Sequence, residues 1–370
     1  MENNIPQITF CIASKNNLRY LKYAIKYIRE NCYRKDHDII VMVDGKDEDG
    51  TIQWCVDNNV SVDTIIPNTI VGIARNYNEA VRRSKTEFVI IYHADMIAGK
   101  NMDLNLFKQW KNGLIVSATR IEPPLHPNDP AKIVEDFGMW PEEEVADGFK
   151  KAQFNQFVEA NINNEKVTKG VFAPWLIHKD DYWSIGGHDE SFNSHSEDRD
   201  LFNRFLLNGF DFVQPWNALV YHLTCRGGQF EHATKTEELA NRSTEWNNLA
   251  TENTKKFIRK WGSPPMYNEY QYPIVLPKYD IGLILYNSND SIYNFLEPYF
   301  SVIATTDTLK NDVVVTVDAH KLTQENIQFL FKLPLILKES GQIGVMEWDI
   351  FKLTIKNLIE YQNDLIKVNG

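Results

Sequence analysis

The chain has 370 residues, enough for more than one domain, because single hydrophobic cores rarely grow past ~250–300 residues. A hydrophobic fraction of 43% and an aromatic fraction of 12% supply a substantial core, and a net charge of −11 argues against a surface built to coat nucleic acid or anionic lipid. Cys11, Cys32, Cys55 and Cys225 show no CxxC pair and no metal-ligand spacing, so they read as free thiols. The first residues lack a charged-then-apolar signal pattern, and no apolar run is long enough to cross a bilayer. The expectation is a cytoplasmic protein with no membrane span and no nucleic-acid partner.

Residues 8–13 (ITFCIA) are a β-rich apolar run followed by the polar turn Ser14-Lys15-Asn16-Asn17. Leu18, Leu21, Ile25 and Ile28 then recur at helical spacing. Residues 38–43 (DIIVMV) predict a second strand, ending in an acidic turn from Asp44 to Gly50, with Thr51 as cap of the next helix. A third strand is expected over 62–66. Ile73, Tyr77, Ala80 and Val81 indicate a helix, and residues 88–92 (FVIIY) a fourth strand running into His93-Ala94-Asp95-Met96. Strands alternating with helices predict a parallel sheet covered on both faces, with ligands at the carboxyl ends of the strands. Three turns would converge there: 14–17, 44–50 and 93–96. No GxGxxG follows the first strand and no GxxxxGK[ST] occurs, which argues against a dinucleotide site or a P-loop.

Residues 195–210 (HSEDRDLFNRFLLNGF) predict an amphipathic helix stopped by Gly209, with Leu201, Phe205 and Phe202 on its apolar side and Arg204 beside them. Glu197 and Asp198 stand at its start, where the helix dipole favours carboxylates. Two readings fit: Ser196 caps the helix and the acids complement the dipole, or an ionised acid is aimed into a cleft as a general base. Residues 210–213 and 218–221 read as a strand pair ending in His222.

Taken together, these blocks resemble the family 2 glycosyltransferases. The acidic turn Asp44-Gly45, the segment Ala74-Arg75-Asn76, and a hydrophobic strand ending in His93-Ala94-Asp95 occur in that family's order. They are followed by Gly186-Gly187-His188-Asp189-Glu190-Ser191-Phe192, and then by Glu197-Asp198-Arg199-Asp200-Leu201 through Arg204 to Gly209. The match runs over roughly residues 5–260, and its last two blocks are the specific ones. The resemblance implies a GT-A fold, an α/β architecture with a Rossmann-like mixed sheet. It further implies inverting transfer of a sugar from a nucleoside-diphosphate sugar, UDP favoured, to a hydroxyl of a glycan or other acceptor.

On that resemblance Asp198 is the general base and Glu197 its neighbour. Ala13, Ser14, Asn16, Asp44, Arg75, His93, Asp95 and Arg226 would hold the nucleotide-sugar. Asp95 and His222 would bind Mn2+ or Mg2+, and mixed imidazole and carboxylate ligation suits Mn2+ better. One departure is that His93 stands where the family has the first acid of Asp-x-Asp. His93 then either bonds a ribose hydroxyl, joins the metal shell, or is a histidine satisfied at a strand end. Residues 119–169 form a long polar, proline-punctuated insert of the kind that is often functional. Arg120, Glu122, His126, Trp175, His188 and Asp189 are the acceptor-side candidates, with Trp140 and Trp175 as sugar-stacking platforms. An alternative from another class is a catalytically silent GT-A module that binds glycan or nucleotide. A nucleotidyltransferase would need a glycine in the first loop, and 14–17 has none.

The chain is expected to divide into a GT-A domain over 1–265, a Pro/Tyr-rich linker over 266–279 and a small α/β accessory domain over 280–370. In the last of these, strands are expected over 281–286, 313–317 and 343–347. Helices are expected over 325–331, capped by Thr323, and over 350–359. Docking, acceptor presentation or homo-oligomerisation would suit such a unit.

Overall fold

The computed structural model describes residues 5–125, 128–224, 226, 244–275, 278, 281–305, 309, 313–319 and 345–346. The chain divides into two units, one of residues 1–250 with 269–272 and one of 251–268 with 273–370.

The first unit is built on β1 (Ile8–Ser14), which lies between β2 (Asp38–Val43) and β4 (Phe88–His93), parallel to both. These three strands are apolar without alternation because helices cover both faces of the sheet. α1 (Leu18–Asn31) buries Leu21, Ile25 and Ile28 of the expected stripe together with Ala24 and Tyr27, whereas Leu18, at its first position, is only partly buried. α2 (Thr51–Asp57) follows the acidic turn, and β3 (Ser61–Asp63) adds an edge strand shorter than the expected 62–66. Thr51 is not the cap of α2. Gly50 holds that place in the left-handed region, and the carboxylates of Asp47 and Asp49 accept the amides of Thr51 and Ile52. α3 (Ile73–Arg83) buries Ala74, Tyr77, Ala80 and Val81 against the sheet.

The order along the eight-stranded sheet is β3-β2-β1-β4-β10-β6-β11-β9. Its outer half contains β6 (Leu114–Ser117), β9 (Val167–Thr168), β10 (Trp175–His178) and β11 (Asp211–Pro215). β10 is antiparallel to both β4 and β6, so the sheet is mixed. A second, four-stranded sheet has the order β5-β12-β7-β8, from β5 (Met96–Ala98), β7 (Thr119–Glu122), β8 (Ile133–Val134) and β12 (Leu219–His222). The expected strand pair before His222 therefore separates: β11 joins the large sheet and β12 the small one. The insert over 119–169 is likewise no plain loop, since β7, β8, β9 and α5 (Lys151–Ala160) all lie in it.

α4 (Met102–Gln109) and α6 (Lys179–Ser184) flank the large sheet's outer half. α7 (Glu197–Leu207) buries Leu201, Phe202 and Phe205. Its Arg204 donates to Asp200 Oδ2 (2.8 Å) and to the carbonyl of Ile185 (2.7 Å), which ties the helix to the preceding loop. Gly209, at φ 85°, closes it. The helix α8 (Thr244–Trp261) follows.

The second unit contains a parallel sheet of order β14-β13-β15-β16, made of β13 (Ile281–Tyr286), β14 (Val302–Ala304), β15 (Val313–Asp318) and β16 (Val345–Met346). α9 (Asp290–Leu296) is capped by Asn289, whose side chain accepts the Ile292 amide at 2.9 Å. β14 was not anticipated. The helices expected over 325–331 and 350–359 lie outside the described residues, as does Thr323.

Candidate functional site

The small sheet draws together residues that are far apart in sequence. β12 runs antiparallel to β5 with His222 opposite Met96, and the amide of Leu223 donates to the carbonyl of Asp95 (3.1 Å). On its other side β12 runs parallel to β7, with Tyr221 opposite Ile121. His222 thus stands between Asp95, in the turn after β4, and Glu122, at the end of β7. His93 closes β4. One ligand atom from each of His93, Asp95 and His222 lies within 4.8 Å of the others. His222 Nε2 is 3.6 Å from Asp95 Oδ1, outside hydrogen-bonding distance. Two imidazoles and a carboxylate at this spacing fit a divalent cation of the Mn2+ class.

The electrostatics follow from burial and from these charges. Burial pulls the His93 imidazole down to about 4, and the nearby charge of Asp95 only partly opposes this. Burial alone would lower His222 too, but Asp95 and Glu122 outweigh it and raise the imidazole to about 9. Burial alone would raise Asp95, and His222 outweighs it and holds the carboxyl below its ordinary range. The charge of Asp198 also acts on His93, so the N-terminus of α7 belongs to the same neighbourhood.

That N-terminus departs from the expected cap. His195 and Ser196 both take left-handed backbone angles, φ 69° and 70°, and Ser196 makes no side-chain capping bond. Non-glycine residues in this region cost roughly 1–3 kcal/mol each, and such strain gathers at functional sites. Among the described residues, Ser196 Oγ and Glu197 Oε2 are buried without a hydrogen-bond partner, whereas buried polar atoms are ordinarily paired. Burial, and then the charge of Asp198, push the Glu197 carboxyl up to about 8. Asp198 Oδ1 accepts the amide of Arg199 at 2.7 Å.

The other expected nucleotide contacts stand at the carboxyl ends of the first strands. Ala13 is opposite His93 in the β1–β4 register, and Ser14 Oγ is buried with no hydrogen-bond partner among the described residues. Asn16, at φ 50°, accepts the Glu48 amide through Oδ1. Asp44 accepts the Val71 amide (2.7 Å) and the Gly72 amide (3.3 Å), which fixes its carboxylate at the end of β2. Arg75 is exposed, 3.6 Å from Glu190. The helix it belongs to clamps the 186–193 loop: the Asn78 side chain donates to the His188 carbonyl and accepts the His188 amide, both at 2.9 Å.

Several acceptor-side expectations fail on burial. Trp175 is 2% exposed and packs edge-on against Phe202 in the core. His188 is 2% exposed, bonded to Tyr182 (2.7 Å) and stacked on Tyr77, and burial lowers its imidazole to about 3. Neither can meet an acceptor sugar. Trp140 has the guanidinium groups of Arg19 and Arg226 over its ring, each 4.6 Å from the centroid, so it is not an open platform. Arg226 itself is buried and turned inward, donating to the carbonyls of Thr224 and Met139 rather than standing open to a diphosphate.

Arg120 and Glu122 are buried as well and stand beside the group of His93, Asp95 and His222. Glu122 Oε1 accepts from His222 Nδ1 (2.7 Å) and from Arg120 (2.8 Å), and Oε2 accepts from Lys132. Burial would raise the Glu122 carboxyl, but the bond to His222 and these two cations hold it far below its ordinary range. Asp189 is partly buried and accepts the Ser191 amide. His126 lies outside the described residues.

Phe172 is absent from the sequence expectations, yet its ring stands 6.1 Å from both His93 and His222, with the Arg120 guanidinium 3.6 Å over it. Nothing in its sequence neighbourhood marks it. The grouping of Arg120 with Glu122 does have a signal, because strand periodicity puts residues i and i+2 on one face.

Residues 9–186 match the family described as Glycosyl transferase family 2. No curated protein matches the chain. Among solved structures, the mannosyltransferase PcManGT from Pyrobaculum calidifontis, in complex with GDP-Man and Mn2+, is similar at 15% identity and TM-score 0.42, over 60% of this chain and 58% of that one. GalNAc-T7 with UDP, GalNAc and Mn2+ is similar at 9% identity and TM-score 0.43, over 60% of this chain and 44% of that one. TarS of S. aureus is similar at 12% identity and TM-score 0.41, over 58% and 36%. The chain thus spans less than two thirds of the length of each.

Proposed function

We infer that this chain, whose residues 9–186 match the family described as Glycosyl transferase family 2, is an inverting glycosyltransferase. It moves a sugar from a nucleoside-diphosphate sugar, UDP-linked, to a hydroxyl of a glycan or other acceptor. The observation that carries the reading is the meeting of His93, Asp95 and His222 with the acid-bearing start of α7. Asp95 and His222, with His93 beside them, would hold Mn2+, which when bound supplies Lewis-acid stabilisation of the leaving diphosphate. Asp44 and Ser14, at the ends of β2 and β1, orient the nucleoside. Asp198 takes the proton of the attacking hydroxyl as that oxygen approaches the anomeric carbon from the face opposite the diphosphate. Glu197 does not compete for that proton, because its own carboxyl, raised to about 8, is already protonated at neutral pH.

Asp198→Asn tests this directly. It should retain donor binding and lose ~10²–10⁴-fold in turnover, the usual worth of a positioned proton transfer. Turnover at the wild-type rate would remove Asp198 from the mechanism. Asp95→Ala should instead abolish the Mn2+-dependent part of donor binding, and donor affinity indifferent to both the substitution and EDTA would remove the metal.

A further inference from the structure

We propose that Glu122 is a positioning residue: it locks the ring of His222 so that Nε2, beside Asp95, is presented to a divalent cation. The inference rests on the metal-assisted reading above and concerns how this chain builds that site.

A carboxylate can only accept, so the 2.7 Å contact between Glu122 Oε1 and His222 Nδ1 places a proton on Nδ1. The other ring nitrogen then points at Asp95 Oδ1 from 3.6 Å. A cation that takes the place of the Nε2 proton would lie between this nitrogen and the Asp95 carboxylate, with both as ligands. The backbone reinforces this pose. Parallel pairing of β7 with β12 sets Tyr221 opposite Ile121, which brings the ends of the two strands, Glu122 and His222, side by side.

Glu122 is itself immobilised. At 1% exposure it is bonded to Arg120 on one oxygen and Lys132 on the other, and Arg120 is anchored in turn by Asp129 at 3.0 Å. The Arg120 guanidinium also covers Phe172, whose ring borders both histidines. The two cations hold both oxygens of the buried carboxylate, so its bond to the imidazole is fixed in direction. Carboxylate partners of this kind fix the tautomer and ring orientation of a ligating histidine, and their loss ordinarily weakens metal binding by ~10–100-fold.

The test is Mn2+ affinity of the full chain, followed by the electron paramagnetic resonance of free Mn2+ with no donor or acceptor present. Glu122→Gln is expected to weaken binding by ~10–100-fold. Glu159→Gln, which removes an exposed carboxylate paired with Lys100 (3.1 Å) outside this network, should leave it unchanged. Equal affinity in Glu122→Gln and wild type overturns the inference alone, as does an equal loss in Glu159→Gln. A wild-type chain that binds no Mn2+ overturns both the inference and the metal-assisted reading. Should the glutamine variant not fold, magnetic resonance of the cadmium-loaded wild type with isotope-labelled histidine decides. A protonated Nδ1 and metal coupling at Nε2 of His222 are expected, and coupling at Nδ1 overturns the inference.

Discussion

Glu197 and Asp198 are neighbours in sequence, yet the first turn of α7 gives them different surroundings. Glu197 has a buried oxygen with no hydrogen-bond partner among the described residues, whereas Asp198 bonds the backbone of Arg199. Because burial and the charge of Asp198 raise the Glu197 carboxyl from 4.5 to about 8, the folded chain keeps a proton there that the unfolded chain has released. In that window the unfolded state binds fewer protons, so stability must fall as pH rises from about 4.5 to about 8. Glu197→Gln removes the titrating group while keeping its shape. It should melt higher than wild type at about pH 8, and the gap should close toward about pH 4. Melting temperatures across that range check this, and a gap independent of pH would mean that Glu197 is not held protonated.

At the scale of elements, the site depends on how α3 and the 186–193 loop are joined ahead of α7. Gly72 stands at φ 94°, and a Cβ there would fall 2.6 Å from the Asn193 carbonyl oxygen and 2.7 Å from its Cα. The Ile73 amide donates to that same carbonyl at 2.8 Å, so the backbones cannot separate without losing a bond. Gly72→Ala combines a left-handed backbone with a backbone clash and should cost at least ~1–3 kcal/mol. Chemical denaturation measures it, and an unchanged midpoint would show that the loop gives way freely. The helices and inner strands were legible in the sequence because their apolar spacing is local: Leu21, Ile25 and Ile28 mark α1, and Leu201, Phe202 and Phe205 mark α7. The second sheet was not. β5, β7 and β12 have three or four residues each and come from distant parts of the chain, so no periodicity within any one of them announces a shared sheet. That is why only a resemblance pairs Asp95 with His222 as candidate ligands, while the contact of Glu122 with His222 has no signal in the sequence. Trp175 and His188 failed for a related reason, since residue type alone does not say which side of an element faces the core.

At the scale of the whole molecule, the residues proposed for donor, metal and proton transfer fall between Ala13 and His222, within the first of the two units. The second unit contributes none of them. A ligand that binds only the folded form stabilises the unit that holds it, by about 2.7 kcal/mol at a hundred times its dissociation constant. Chains of two units need not unfold in one step, so calorimetry is the suitable measurement. A UDP-sugar with Mn2+ should raise the transition belonging to the first unit and leave any separate transition of the second in place. GDP- and dTDP-sugars should raise it less, and EDTA should cancel the shift if the proposed cation at Asp95 and His222 holds the diphosphate. If a GDP-sugar gives the larger shift, the choice of uridine fails while the metal reading stands. If no sugar nucleotide moves the transition with or without Mn2+, Asp95 and His222 do not form a donor site.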